Sequence, residues 1–245
     1  MTETQKLSGR VALVTGAGKR LGRHIALRLA REGADIAAHY GKSAAEAQQV
    51  VAEVEALGRR AASFPAELLD VVALRSLVEQ VVAHFGRLDI LINSAANFLQ
   101  GKFGEIPESA WSASLDTNLK APFFLSQAAA PHLAKSGRGA IINFTDIGGL
   151  VGWREFIPHS ISKTGIIMMT RVLAKELGPA VRVNALAPGT ITMPGDPPEW
   201  RQDFVEHAAL RRSGRPEEIT DAIMFLLTAD FVTGHTLVID GGRTL

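Results

Sequence analysis

The sequence predicts an α/β fold, a doubly wound parallel sheet of about seven strands with helices on both faces, and three observations carry that expectation. Short apolar runs recur along the chain: "VALVT" from residue 11, "DIAAHY" from 35, "AASF" from 61, "LDILIN" from 88, "AIINFT" from 140, "VRVNALA" from 181 and "TLVID" from 236. The spans between them, such as "SAAEAQQVVAEVEALG" and "DVVALRSLVEQVVAHFG", repeat apolar residues at the three- and four-residue intervals of an amphipathic helix. The runs themselves are largely apolar, as strands covered on both faces are, and strand, helix, strand repetition implies right-handed crossovers between parallel strands.

The first run leads through Gly16, Gly18 and Gly22 into an amphipathic helix, in "VALVTGAGKRLGRHIALRLAREG". At the carboxyl end of a parallel strand such a turn offers a pyrophosphate the unpaired N–H groups and positive dipole end of the helix. Lys19, Arg20 and Arg23 add positive charge there. After the second run the chain reads "HYGKS", with no carboxylate for a ribose 2′-hydroxyl. Lys42 and Ser43 suit a 2′-phosphate instead, so NADPH is expected over NADH. Ser43 with Glu46 forms a capping-box pattern for the next helix, and Gly58 suits a left-handed cap at its end. "TMPGDPPEW", residues 192–200, is the one proline- and glycine-rich stretch and reads as a mobile loop.

Composition narrows the function. A chain of 245 residues, 47% hydrophobic, is read as one domain spanning 1–245. With 26 basic against 25 acidic residues there is no broad field for nucleic acid or an anionic membrane, so the expected partner is a small molecule. Cysteine is absent, which removes disulfides, thiolate nucleophiles and cysteine-ligated metals, and fits a reducing compartment. The start is polar, and no stretch reaches the roughly 18 apolar residues of a membrane span, so a cytoplasmic location is expected. The histidines lack metal-ligand spacing and no metal is assigned.

Taken in order, "TGAGKRLG", "LDILINSAA", "LDTNLKAPF", "VRVNALAPGTI" and "VIDGG" resemble the motifs of the short-chain dehydrogenase/reductase family over nearly the whole chain. The resemblance implies a Rossmann-type domain binding a nicotinamide dinucleotide. Within the family, "TGAGKRLGR", "HYGKSAAEA", the aspartate at 146 and "MPGDPPEW" are most like the pteridine reductases. The family's catalytic set then falls on Asn118, Asp146, His159 and Lys163, with His159 where a tyrosine is usual; the chain's one tyrosine, Tyr40, belongs to the adenosine end of the site. Cofactor contacts are implied for Gly16, Lys19, Arg20, Leu21, Tyr40, Lys42, Ser43, Glu67, Leu68, Asn93, Ser94, Ala95, Lys163, Pro188, Gly189 and Ile191. Residues 192–212 would form the substrate-loop region, with Phe98, Trp153 and Met193 shaping the pocket. A homotetramer or homodimer is also implied, with the long helices and the carboxyl-terminal "FVTGHTLVIDGGRTL" at the interfaces.

Hydride transfer to C=O or C=N leaves negative charge that a positioned acid neutralises. Lys163, one helical turn from His159, disfavours imidazolium, whereas the Asp146 carboxylate favours it. A histidine acid would make activity rise as pH falls through the range in which imidazole titrates. Asp146 could instead donate directly or through water. The expected function is therefore NADPH-dependent reduction of a pterin-like or carbonyl substrate. The alternative is an attenuated NADP(H)-binding protein, a sensor or partner subunit, with a purely structural subunit further behind.

Overall fold

The computed structural model describes residues 5–197 and 199–245, without the side chains of 199–201. Pro198 and the Glu199 and Trp200 side chains, in the expected mobile loop, lie outside the described residues, as do residues 1–4 of the polar start. The elements run β1 (Val11–Val14), α1 (Arg20–Arg31), β2 (Asp35–Tyr40), α2 (Ala44–Ala56), β3 (Ala61–Pro65), α3 (Val71–Phe85) and β4 (Ile90–Asn93). There follow α4 (Glu108–Leu115), a π-helical turn (Asp116–Lys120), α5 (Ala121–Lys135), β5 (Gly139–Phe144), α6 (Gly148–Val151), α7 (Ile157–Leu177) and β6 (Val181–Pro188). The chain closes with α8 (Glu199–His207), α9 (Pro216–Thr228) and β7 (Thr236–Ile239).

Every run expected to be a strand joins one parallel sheet in the order β3-β2-β1-β4-β5-β6-β7. Strand side chains alternate between faces, so each apolar strand feeds two cores. Ala12, Val14, Ile36, Ile92 and Ile142 pack with Ile25 and Leu29 of α1 and Ile223 and Leu227 of α9. Val11, Leu13, Leu91, Ile141 and Val183 pack on the other face with Leu74, Leu77 and Val81 of α3 and Leu125 of α5. Burial on both faces is why these strands read as continuous rather than alternating apolar runs.

The strand order reverses between β1 and β4, and the carboxyl ends of the strands open a crevice there. Gly58 has φ +75°, the left-handed cap expected of it. The capping box at Ser43 is not formed. Ser43 precedes α2 with φ −100° and ψ 58° rather than extended backbone, and its hydroxyl makes no cap bond; the Glu46 carboxylate is drawn 2.7 Å from Lys19 Nζ instead. Residues 192–212 are not loop alone: α8 occupies their middle, and its Phe204 packs with Ile147, Ala208 and Trp153. Among the described residues no helix is long and apolar enough to cross a membrane, and no group of three or more His, Cys, Asp or Glu could hold a metal.

Candidate active site

The turn after β1 is built for close approach. Gly16 adopts φ +68°, and a Cβ on Gly22 would lie 2.2 Å from the Gly16 carbonyl oxygen, so only glycine lets α1 start this near the strand. Lys19 precedes α1 without a side-chain cap bond, and no acidic residue stands in the first turn. The helix's leading N–H groups and positive dipole end are thus uncompensated by side chains. Behind the turn, the Gly16 N–H donates to His39 Nδ1 at 3.2 Å, and His39 Nε2 lies 3.1 Å from the Ala66 carbonyl. Since Nδ1 accepts, Nε2 carries the proton. Burial lowers the pKa of His39, which favours the neutral ring. Thr15 Oγ1 accepts from the N–H groups of Ser94 at 2.9 Å and Ala95 at 3.0 Å, fastening the β4 exit to the same turn.

The basic residues around the turn divide by partner. Lys19 is paired with Glu46 and Arg23 with Glu53. Arg20, at φ +47°, donates through both terminal nitrogens to Asp196 at 2.7 and 2.9 Å, and Asp196 also accepts from the Met193 N–H at 2.8 Å. The hydrogen-bonded contact raises the pKa of Arg20 and lowers that of Asp196. Two of the cations expected to serve phosphate thus have carboxylate partners here: Glu46 for Lys19, and Asp196 for Arg20, which ties the glycine turn to the 192–212 region. Lys42 makes no ion pair among the described residues. A Cβ on Gly18 would come 3.1 Å from Ser43 Oγ, which places that hydroxyl, not used as a cap, over the turn.

At the ends of β5 and α7, Asp146, His159 and Lys163 come together. His159 is 2% exposed, and its Nε2 lies 2.7 Å from Asp146 Oδ2. Its Nδ1 lies 3.2 Å from the Asn97 carbonyl and 3.4 Å from Asn118 Nδ2. Asn118 has two amide protons and shorter acceptors for both, Asn97 O at 3.1 Å and Ser162 Oγ at 3.2 Å. The network is therefore satisfied when His159 Nδ1 donates to Asn97 O. That leaves a second proton to be shared between Nε2 and Oδ2, a short charge-assisted bond. Trp153 stacks parallel to the imidazole with centroids 6.0 Å apart, and Phe98 meets it edge-on at 4.7 Å.

Lys163, 4% exposed, donates from Nζ to the Phe144 carbonyl at 2.8 Å, which leaves two ammonium protons. Burial lowers its pKa, opposed by the nearby Asp146 charge. Asn118 lies in the π-helical turn, where one residue inserted into the helix rotates its amide towards His159 and Asn97.

The remaining expected positions follow the strands. Tyr40 ends β2, Glu67 and Leu68 follow β3, Asn93 ends β4 with Ser94 and Ala95 after it, and Pro188 ends β6 with Gly189 and Ile191 beyond. Leu21 lies in the first turn of α1. The sheet brings all of them to one edge. Tyr40 is three strand steps from β5, at about 4.8 Å a step, too far to replace His159. His39, Thr15 and Asn97 were not singled out from the sequence. The one available signal was a histidine in an otherwise apolar strand, "DIAAHY".

An uncapped glycine turn at the reversal point of a parallel sheet, with a buried Asp-His-Lys cluster at the neighbouring strand end, defines a Rossmann-type dinucleotide-binding protein. A family model described as enoyl-(acyl carrier protein) reductase matches residues 16–244. The 3-oxoacyl-(acyl-carrier-protein) reductase FabG of Thermotoga maritima is 34% identical over 246 residues, covering 98% of this chain and all of the relative. A short chain dehydrogenase from Burkholderia cenocepacia, solved in complex with NADP, superposes with a TM-score of 0.93 at 36% identity, covering 98% of this chain and 100% of that one. A blue fluorescent protein from a metagenomic library, solved with NADPH, gives 0.92 at 33% identity over the same shares. The chain belongs to the short-chain dehydrogenase/reductase family and is an oxidoreductase of that type.

Proposed function

We propose that this protein is an NADPH-dependent reductase of a pterin-like or carbonyl substrate, in which the Asp146–His159 pair supplies the proton. The carrying observation is the 2.7 Å contact between His159 Nε2 and Asp146 Oδ2, with Nδ1 engaged by Asn97 O. The residues present fit a dinucleotide phosphate. A Cβ at Gly16 would press on Ala95 Cα at 3.3 Å, α1 begins uncapped, and the buried oxygens Asn93 Oδ1 and Asp146 Oδ1 have no partner among the described residues. Lys42 and Ser43 would hold the 2′-phosphate, the glycine turn the pyrophosphate, and Lys163 the nicotinamide ribose through its two remaining protons. The NADP and NADPH held by the two structural neighbours support this choice. When bound, NADPH supplies the hydride.

The chain's own residues then manage charge. Asp146 is the more exposed partner, 20% of its side chain against 3% for His159, so substrate meets the pair from the Asp146 side. The proton held between Nε2 and Oδ2 passes to the oxygen or nitrogen made negative by hydride addition, and the pair regains a proton from solvent. Asn97 and Asn118 hold the imidazole plane throughout. Phe98 and Phe156, stacked at 4.2 Å, form with Trp153 an aromatic wall suited to a flat substrate, which favours the pterin-like reading. The name of the Thermotoga relative favours a second, a 3-oxoacyl thioester.

Absorbance assays of NADPH oxidation against dihydropterins, simple carbonyls and 3-oxoacyl thioesters, from about pH 5 to 8, test the proposal. Turnover with one class names the substrate; a cofactor-bound protein that turns over none of them ends the reductase reading. We further propose a homotetramer or homodimer. Phe123 of α5 and Met168 and Val172 of α7 lie exposed around one apolar cavity, and Phe225, Phe231 and Val238 are exposed near the carboxyl end.

A further inference from the structure

At the sheet edge opposite the cofactor crevice, the segments entering β1, β5 and β6 enclose a cavity of about 570 Å³. Lys6, Arg10, Arg138 and Arg182 line it, with Asp230 the only acid among its described lining residues. Arg10 is only 7% exposed. Its Nη2 donates to the Arg138 carbonyl at 2.7 Å, while its buried Nε has no partner among the described residues. The fully buried carboxylate nearest in charge, Asp89, is taken. Arg87 binds it through two bonds of 2.8 and 2.6 Å, and the Val11 N–H adds a third at 2.8 Å. Arg182 is committed to the carbonyls of Leu226, Leu227 and Val232, which end α9 and the turn after it. Lys6 and the Arg138 side chain make no ion pair among the described residues.

A buried guanidinium without a carboxylate is unfavourable, and here two further arginines add repulsion. The pKa of Arg10 is lowered first by burial, with Asp89 opposing and Arg182 and Arg138 lowering it further. We propose that this cavity is an anion site, distinct from the cofactor crevice, that takes a small phosphate-bearing molecule on Arg10, Arg138 and Lys6. Planar guanidinium forks match phosphate oxygens in pairs, and all three cations line the one cavity. Occupancy there would tie together the amino ends of β1, β5 and β6 and stabilise the folded chain by mass action.

Isothermal titration of the full chain with inorganic pyrophosphate at fixed ionic strength tests the site. Lys6→Gln/Arg138→Gln serves as the variant, both side chains being exposed and outside the core. The glycine turn can also attract pyrophosphate, so each titration is repeated with the cofactor crevice saturated with NADPH. The expected result is a saturable component that weakens at least about tenfold in Lys6→Gln/Arg138→Gln and is unchanged by NADPH. It should be accompanied by amide NMR shifts at Gly137, Gly139 and Ala180. No saturable component at about 10 mM pyrophosphate, or one of equal affinity in Lys6→Gln/Arg138→Gln and the unaltered chain, overturns the proposal.

Discussion

His159 and Asp146 are exacting because each satisfies the other. Asp146→Asn replaces a carboxylate with an amide that cannot share the Nε2 proton. Its kcat is expected to fall by about 10²-fold or more while NADPH affinity changes little, as stopped-flow reduction and fluorescence titration would read separately. Loss of both together would instead place Asp146 in cofactor binding. His39 gives a pH prediction. Its folded pKa is lowered by burial, so on acidification the unfolded chain takes up a proton that the folded chain refuses. Stability held above the ordinary histidine range is therefore lost as pH falls through that range. A protonated His39 would also turn an Nδ1–H against the Gly16 N–H. Melting temperature and NADPH affinity should both fall from about pH 7 to pH 5, and His39→Gln, which cannot titrate, should flatten both profiles.

Elements meet the site through contacts that propensity alone would misjudge. Alanine is favoured over glycine inside a helix by about 1 kcal/mol, yet a Cβ at Gly22 would stand 2.2 Å from the Gly16 carbonyl. Overpacking of this kind costs roughly 1–3 kcal/mol, so it outweighs the propensity gain, and Gly22→Ala should lower the melting temperature and weaken NADPH binding together. The Arg20–Asp196 pair joins the glycine turn to the 192–212 region across the crevice mouth. More than half of the Arg20 side chain is exposed, so the pair contributes under about 1 kcal/mol to stability. Asp196→Asn is therefore expected to leave the melting temperature within a degree or two and to raise KM for substrate several-fold, through a less ordered loop. Equal KM values in the two proteins would show that the pair does not organise the site.

For the whole molecule, exposed Phe123, Met168 and Val172 give α5 and α7 an apolar face that water leaves unsatisfied. Met168→Asp should shift the mass measured by light scattering towards the monomer, with the far-ultraviolet circular dichroism unchanged. The sequence by itself determined the strand list and the sheet's parallel character, because strands buried on both faces must be apolar throughout and crossover helices must be amphipathic. It also determined that a glycine turn follows β1, since glycine spacing records where backbone must come close to backbone. It picked out Asp146, His159 and Lys163 through family spacing. It did not reveal that Ser43 gives up its cap, that Lys19 and Arg20 are engaged by Glu46 and Asp196, or that His39 braces Gly16. Those depend on which strands lie side by side. A π-helical turn aims Asn118, and residues more than forty positions apart complete the His159 network. Local pattern fixes the elements because it is set by neighbours in the chain; tertiary structure decided the hydrogen-bond partners, because those are set by neighbours in space.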